Sequence, residues 1–173
     1  LAKDYADVSM GRSTIGDTIK AALFELQNLS VGKVAPEVLC LNIDGDKEDK
    51  LSNYKGKVVV LDIWATWCGP CRAEIPFLKK TEEKYEGKNI AFVSISVDVQ
   101  KDFEKWKKFV SEKQLGGVQL FADKDWNSDF MKSYSINSIP RFILIDPTGK
   151  VVSADAARPS STKLVEQLDA LLK

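Results

Sequence analysis

Asp62-Ile63-Trp64-Ala65-Thr66-Trp67-Cys68-Gly69-Pro70-Cys71-Arg72-Ala73-Glu74-Ile75-Pro76 sets two thiols three positions apart where an apolar run gives way to a helical pattern. The run itself, Val58-Val59-Val60-Leu61-Asp62-Ile63-Trp64, is β-branched and continuously apolar apart from one carboxylate. Such a pattern belongs to a central strand buried on both faces. Its tip is expected to deliver the cysteines to the surface.

Positions i and i+3 of a helix share a face roughly 5 Å apart, inside the Cα separation a disulfide requires. Gly69 and Pro70 suit a first helical turn, where the N–H that proline lacks would be unpaired anyway. Cys68 then falls at or just before the helix start. Unpaired N–H groups and the positive end of the helix dipole favour a thiolate there, moving an exposed cysteine below its free pKa of about 8.5. The spacing predicts Cys68 as nucleophile and Cys71, one turn further in and shielded, as the thiol that resolves a mixed disulfide. Zinc is the common alternative for such a pair. With three cysteines and no histidine in 173 residues, a zinc site would need carboxylates that structural zinc rarely uses. No metal and no cofactor is expected. A passive staple across so short a loop would constrain the unfolded chain little.

Asp62 stands six residues before Cys68 in the apolar strand. Burial disfavours its charged form and raises its pKa, which suits a general acid/base for the Cys71 proton; a satisfied structural aspartate is the alternative. Glu74, three residues past Cys71, shares that cysteine's helical face, as an ordinary solvated glutamate could also do. Pro76 should kink the helix. Ile139-Pro140 precedes the strand Phe142-Ile143-Leu144-Ile145, and taken alone this proline would read as trans at a strand start.

Trp67-Cys68-Gly69-Pro70-Cys71 after a buried strand resembles the active site of the thioredoxin superfamily. Three further stretches narrow the resemblance: Val34-Ala35-Pro36, Leu51-Ser52-Asn53-Tyr54-Lys55-Gly56-Lys57, and Ser138-Ile139-Pro140-Arg141-Phe142-Ile143-Leu144-Ile145-Asp146. Together they are similar to bacterial TlpA/ResA-type thiol–disulfide oxidoreductases, related to the AhpC/TSA group, over residues 32–173. The resemblance implies an α/β thioredoxin-like fold: a mixed central sheet with helices on both faces, an N-terminal strand extension and a helix–strand insert at 102–121. It implies the buried acid/base aspartate at Asp62, a thiol-tuning glutamate at Glu74 and a cis-proline at Pro140 facing the cysteines. It also implies substrate contacts at Trp67, Ile139 and Pro140, with Ile139 pairing to an extended segment. Arg141 stands where many relatives carry threonine. Ser94 takes the place of a thioredoxin lysine that would otherwise tune Asp62. The resemblance further implies protein disulfide or dithiol substrates, an upstream redox partner that recycles the pair, and a periplasmic or outer-envelope location.

Composition bounds the rest. At 44% hydrophobic and 29% charged residues, the chain suits one globular domain with a full core. Twenty-five acidic and 25 basic residues argue against a nucleic-acid surface, and no apolar run reaches membrane-spanning length. The first residue is leucine and no signal sequence is visible, which fits a processed product or a piece of a longer chain. Residues 1–31 form a separate N-terminal segment. Within it, Ile15, Ile19, Ala22, Leu23 and Leu26 recur at helical spacing over 12–29, capped by Ser13 or Thr14. That helix reads as the tail of an upstream domain or as one packed on the 32–173 domain. Cys40, in the strand pattern Val38–Ile43, reads as a small buried hydrophobe. The acidic turn Asp44–Asp49 lacks the glycine and glutamate a calcium loop needs.

Reduction of protein disulfides through Cys68 and Cys71 is the leading expectation. A thiol peroxidase of peroxiredoxin type is the second, poorly served by a redox partner at i+3. A thioredoxin-like binding module with a vestigial cysteine pair is the third.

Overall fold

The computed structural model describes residues 14–173. Among them, seven strands form one mixed sheet in the order β2-β1-β5-β4-β3-β6-β7. After helix α1 (Ile15–Asn28) come β1 (Leu39–Leu41), β2 (Glu48–Lys50), β3 (Val58–Trp64) and α2 (Gly69–Lys84). They are followed by β4 (Ile90–Ser96), α3 (Phe103–Glu112), β5 (Val118–Phe121), α4 (Asp129–Ser133), β6 (Arg141–Ile145), β7 (Val151–Ser153) and α5 (Thr162–Leu171). β3, β4 and β5 run parallel, while β6 pairs antiparallel to the other side of β3. The thioredoxin-like α/β architecture expected from the motifs is the observed one.

All seven residues of β3 are buried, because alternate side chains enter two different cores. Val59, Leu61 and Ile63 join a cluster with Trp106 and Val110 of α3 and Phe130 of α4. Val58 and Val60 join another with Leu78 of α2 and Leu164 and Leu168 of α5. Helices thus cover both faces, and the strand reads as continuously apolar for that reason.

Two strand expectations change. The strand pattern expected over 38–43 narrows to three residues, and the acidic turn beyond it leads into a strand, β2, that pairs with β1. Cys40 is 1% exposed on β1, as its apolar surroundings suggested. α2 continues through Pro76.

The amphipathic N-terminal helix is present as α1. Its cap is Thr14, whose Oγ1 accepts from Asp17 N while Asp17 Oδ2 accepts from Thr14 N; this is a reciprocal capping box. The expected start at residue 12 and the Ser13 cap lie outside the described residues. Ile15, Ile19 and Leu23 repeat every four positions along α1 and remain more than half exposed, so the side of α1 that carries them does not join the main core. Among the described residues no helix is long and apolar enough to cross a membrane.

Candidate active site

β3 ends at Trp64, and the loop Ala65–Trp67 carries the chain to Cys68, the N-cap of α2. Gly69 and Pro70 occupy the first turn as the spacing requires. Cys68 and Cys71 are joined in a disulfide with Cα atoms 5.2 Å apart. The Cys71 N–H donates to Cys68 Sγ at 3.2 Å. A helix-terminal donor therefore already points at the sulfur predicted to carry negative charge.

Exposure differs from expectation. Cys68 is only 5% exposed and Cys71 3%, so in the oxidised state the nucleophile candidate is nearly as enclosed as its partner. Ala65 and Thr66 of the preceding loop are likewise buried, while the adjacent Trp67 stands 57% exposed. The loop is fixed from below by a residue that sequence reasoning missed. Asp98, fully buried just past β4, accepts from Thr66 N at 2.9 Å, Thr66 Oγ1 at 2.7 Å and Ser96 Oγ at 2.6 Å. Only its place in an otherwise apolar stretch hinted at this.

Asp62 lies opposite Ser94 in the β3–β4 register, and Ser94 lies opposite Gln119 of β5. Directly paired residues point to the same sheet face. A polar row therefore crosses three strands beneath α2. Ser94 Oγ donates to Asp62 Oδ2 at 3.1 Å. Burial pushes Asp62 up to about 7; the Ser94 hydrogen bond opposes this, and the carboxylates of Glu82 and Glu74 reinforce it. With serine in the position the resemblance assigns to lysine, burial sets this group and no neighbouring cation among its causes draws it down.

Glu74 is 7% exposed rather than solvated. Its two carboxylate oxygens accept from Ser160 N at 2.9 Å and Ser160 Oγ at 2.8 Å, tying α2 to the loop that leads into α5. A cavity of ≈ 20 Å³ brings Asp62, Cys71, Glu74, Glu82, Ser94 and Gln119 together, with Trp64 on its wall. Nothing in the local sequence marks Glu82, which lies three helical turns from Cys71.

The Ile139–Pro140 bond is cis. Ile63 pairs with Arg141 across β3 and β6, which sets Pro140 next in line at the end of β3 that feeds Cys68. Arg141 hydrogen-bonds to Ala154 O and pairs with Asp155. Among the described residues, no group of three His, Cys, Asp or Glu side chains could hold a metal ion.

The sequence signature of the Redoxin family matches residues 30–172. The thiol-disulfide oxidoreductase ResA of Bacillus thuringiensis subsp. konkukian is 30% identical over 155 residues, covering 89% of this chain and 86% of that protein. The crystal structure of the thioredoxin domain of a thiol-disulfide oxidoreductase from Bacteroides vulgatus superposes with a TM-score of 0.74 at 32% identity, covering 84% of this chain and all of that one. A thiol:disulfide interchange protein from Bacteroides sp. gives a TM-score of 0.72 at 31% identity, over 83% of this chain and 90% of that one.

Proposed function

The chain belongs to the Redoxin family and is similar along most of its length to thiol–disulfide oxidoreductases, and on that premise we propose that it reduces protein disulfides and that its residues divide the reaction as follows. Cys68, as thiolate, attacks one sulfur of a substrate disulfide, and the other substrate sulfur leaves as a thiolate that takes a proton from solvent. Cys71 gives its proton to the Asp62 carboxylate and attacks Cys68. The Cys68–substrate bond breaks, the second substrate thiolate leaves, and the protein is left as the Cys68–Cys71 disulfide. Two electrons pass from the pair to the substrate.

The observation that carries this reading is the bonded pair at the head of α2 above a buried carboxylate whose pKa lies near neutrality. A proton acceptor with that pKa matches the task at physiological pH. Glu74 acts through Asp62, by charge, and through Ser160, by fixing α2. An extended substrate segment pairs with the backbone of Ile139 beside Pro140 and packs on Trp67. Physiological substrates are then flexible protein segments carrying disulfides, and an upstream dithiol partner restores the reduced pair. An extracytoplasmic site of action follows from the same likeness and from where disulfides persist. Residues 32–173 make up the catalytic domain, preceded by the 1–31 segment, whose Leu29 packs into its core.

Equilibration against glutathione or dithiothreitol tests the direction of electron flow. A potential near that of thioredoxin, about −270 mV, fits a reductant, whereas a value near about −120 mV would make the protein an oxidant. Insulin reduction set beside peroxide consumption separates the reductase from a peroxidase.

A further inference from the structure

Cys71, Glu74, Leu78 and Glu82 follow one another along the side of α2 that lies over the polar row Asp62–Ser94–Gln119. The cavity between helix and sheet, ≈ 20 Å³, has room for one water molecule. Two of its wall residues carry buried polar atoms with no hydrogen-bond partner among the described residues: Trp64 Nε1, a donor on a residue 3% exposed, and Gln119 Oε1, an acceptor. Orphaned buried polar atoms of both kinds around a water-sized space are the mark of a site that holds a hydrogen-bonded water.

Glu82 closes this space on the solvent side. Its carboxylate lies against Gly116 and Gly117 in the turn before β5. A Cβ at Gly116 would sit 2.5 Å from Glu82 Oε2, and one at Gly117 3.3 Å from Oε1. Gly116 thus leaves the carboxylate a space that a side chain would fill, while at Gly117 a Cβ would first meet Phe92 O, at 2.6 Å. Gly116 and Gly117 are exposed and Glu82 is half-buried, while Asp62 is enclosed.

We propose that Glu82 is the second carboxylate of a proton relay, taking the Cys71 proton from Asp62 across the single-water cavity and handing it to solvent at Gly116–Gly117. The inference rests on the reading of Asp62 as the acceptor of that proton. Asp62 can accept the Cys71 proton only when it is ionised, and at neutral pH part of it already carries a proton that must first be shed, while direct exchange with bulk water is blocked by its burial. Glu82 is suited to the exchange because burial and Glu83 raise it while Lys79 draws it down, leaving it at about 7, level with Asp62. The charged and titratable groups facing the pair are Cys71, Glu74, Lys79 and Glu83 of α2, while the sheet presents the neutral Ser94 and Gln119; Lys79 also donates to Lys113 O beyond α3. Two acids of matched strength pass a proton in either direction without a large uphill step.

The test is stopped-flow reaction of the reduced protein with glutathione disulfide, with release of the second glutathione followed from about pH 5 to 9. Glu82→Gln keeps the shape and removes the exchangeable proton. It should slow that release about tenfold at neutral pH, leave formation of the mixed disulfide unchanged, and move the Asp62 titration, read by carboxyl carbon NMR, to lower pH. Asp62→Asn combined with Glu82→Gln should be no slower than Asp62→Asn alone. An unshifted Asp62 titration with a wild-type pH profile in Glu82→Gln, or multiplying effects in the double variant, would overturn the relay. If Asp62→Asn itself leaves release unchanged, the acid/base reading of Asp62 fails. If Asp62→Asn slows release and Glu82→Gln does not, only the role of Glu82 fails.

Discussion

Thr66 donates both its backbone N–H and its hydroxyl to the Asp98 carboxylate, so the loop that launches Cys68 is fastened to the parallel strand beside it. Asp98→Ala strips the acceptor from Thr66 N, Thr66 Oγ1 and Ser96 Oγ in a fully buried place. Hydrogen bonds to a charged group contribute about 1.5–3 kcal/mol each and do not add fully when they share a partner. The expected loss is about 3 kcal/mol, a fall in Tm of roughly 6–12 °C for a chain of this length. A Tm within 2 °C of the parent by circular dichroism would show that the fastening is idle.

Asp62 makes stability depend on pH with a definite sign. Its folded pKa of about 7 lies above the ordinary 3.8, so its contribution is fully present below about pH 4 and is lost as pH rises through about 7. Asp62→Asn cannot ionise and escapes that loss. In the oxidised protein it should equal the parent near pH 4 in urea denaturation and exceed it above pH 8, by up to about 4 kcal/mol. Parallel curves at both pH values would contradict a buried, proton-holding Asp62.

Cys40 should be chemically silent. Burial pushes its thiol far above the ordinary range, with Asp123 and Asp49 adding to the effect. After mild reduction, iodoacetamide should label Cys68 in the native protein and reach Cys40 only once the chain is unfolded, as read by peptide mass spectrometry. Native labelling of Cys40 would disprove its enclosure.

The two active-site sulfurs should differ by role. Cys68→Ser abolishes insulin reduction, because no nucleophile remains. Cys71→Ser still attacks but cannot release, so it accumulates a mixed disulfide through Cys68 that is visible on non-reducing gels. Equal trapping by both variants would remove the division of labour between them.

The sequence discloses what is written locally. The apolar run of β3, the Gly-Pro first turn of α2 and the strand after Pro140 each sit within a few residues, and the structure places all three as read. β2 was missed because Glu48-Asp49-Lys50 has no apolar alternation; it is a charged edge strand that exists because β1 offers it a partner. The cis geometry at Pro140 came from family likeness, since nothing in the local sequence requires it. The bonds from Asp98 to Thr66 and from Glu74 to Ser160 span 32 and 86 positions. Such distances are closed by tertiary packing, which no local pattern encodes. Glu82 escaped notice for the same reason: only when α2 lies over the sheet does it reach the neighbourhood of Asp62.

The sunken position of Cys68 beneath a protruding Trp67 has a consequence for clientele. A sulfur held inside the rim of the protein cannot be touched by a bridge locked into the body of a rigid globule. Slack polypeptide, able to bend a cystine down past an indole, gains entry. Under the proposed function a loosely held cystine is therefore the expected target, and reduction of unfolded chains faster than of their native counterparts would show it.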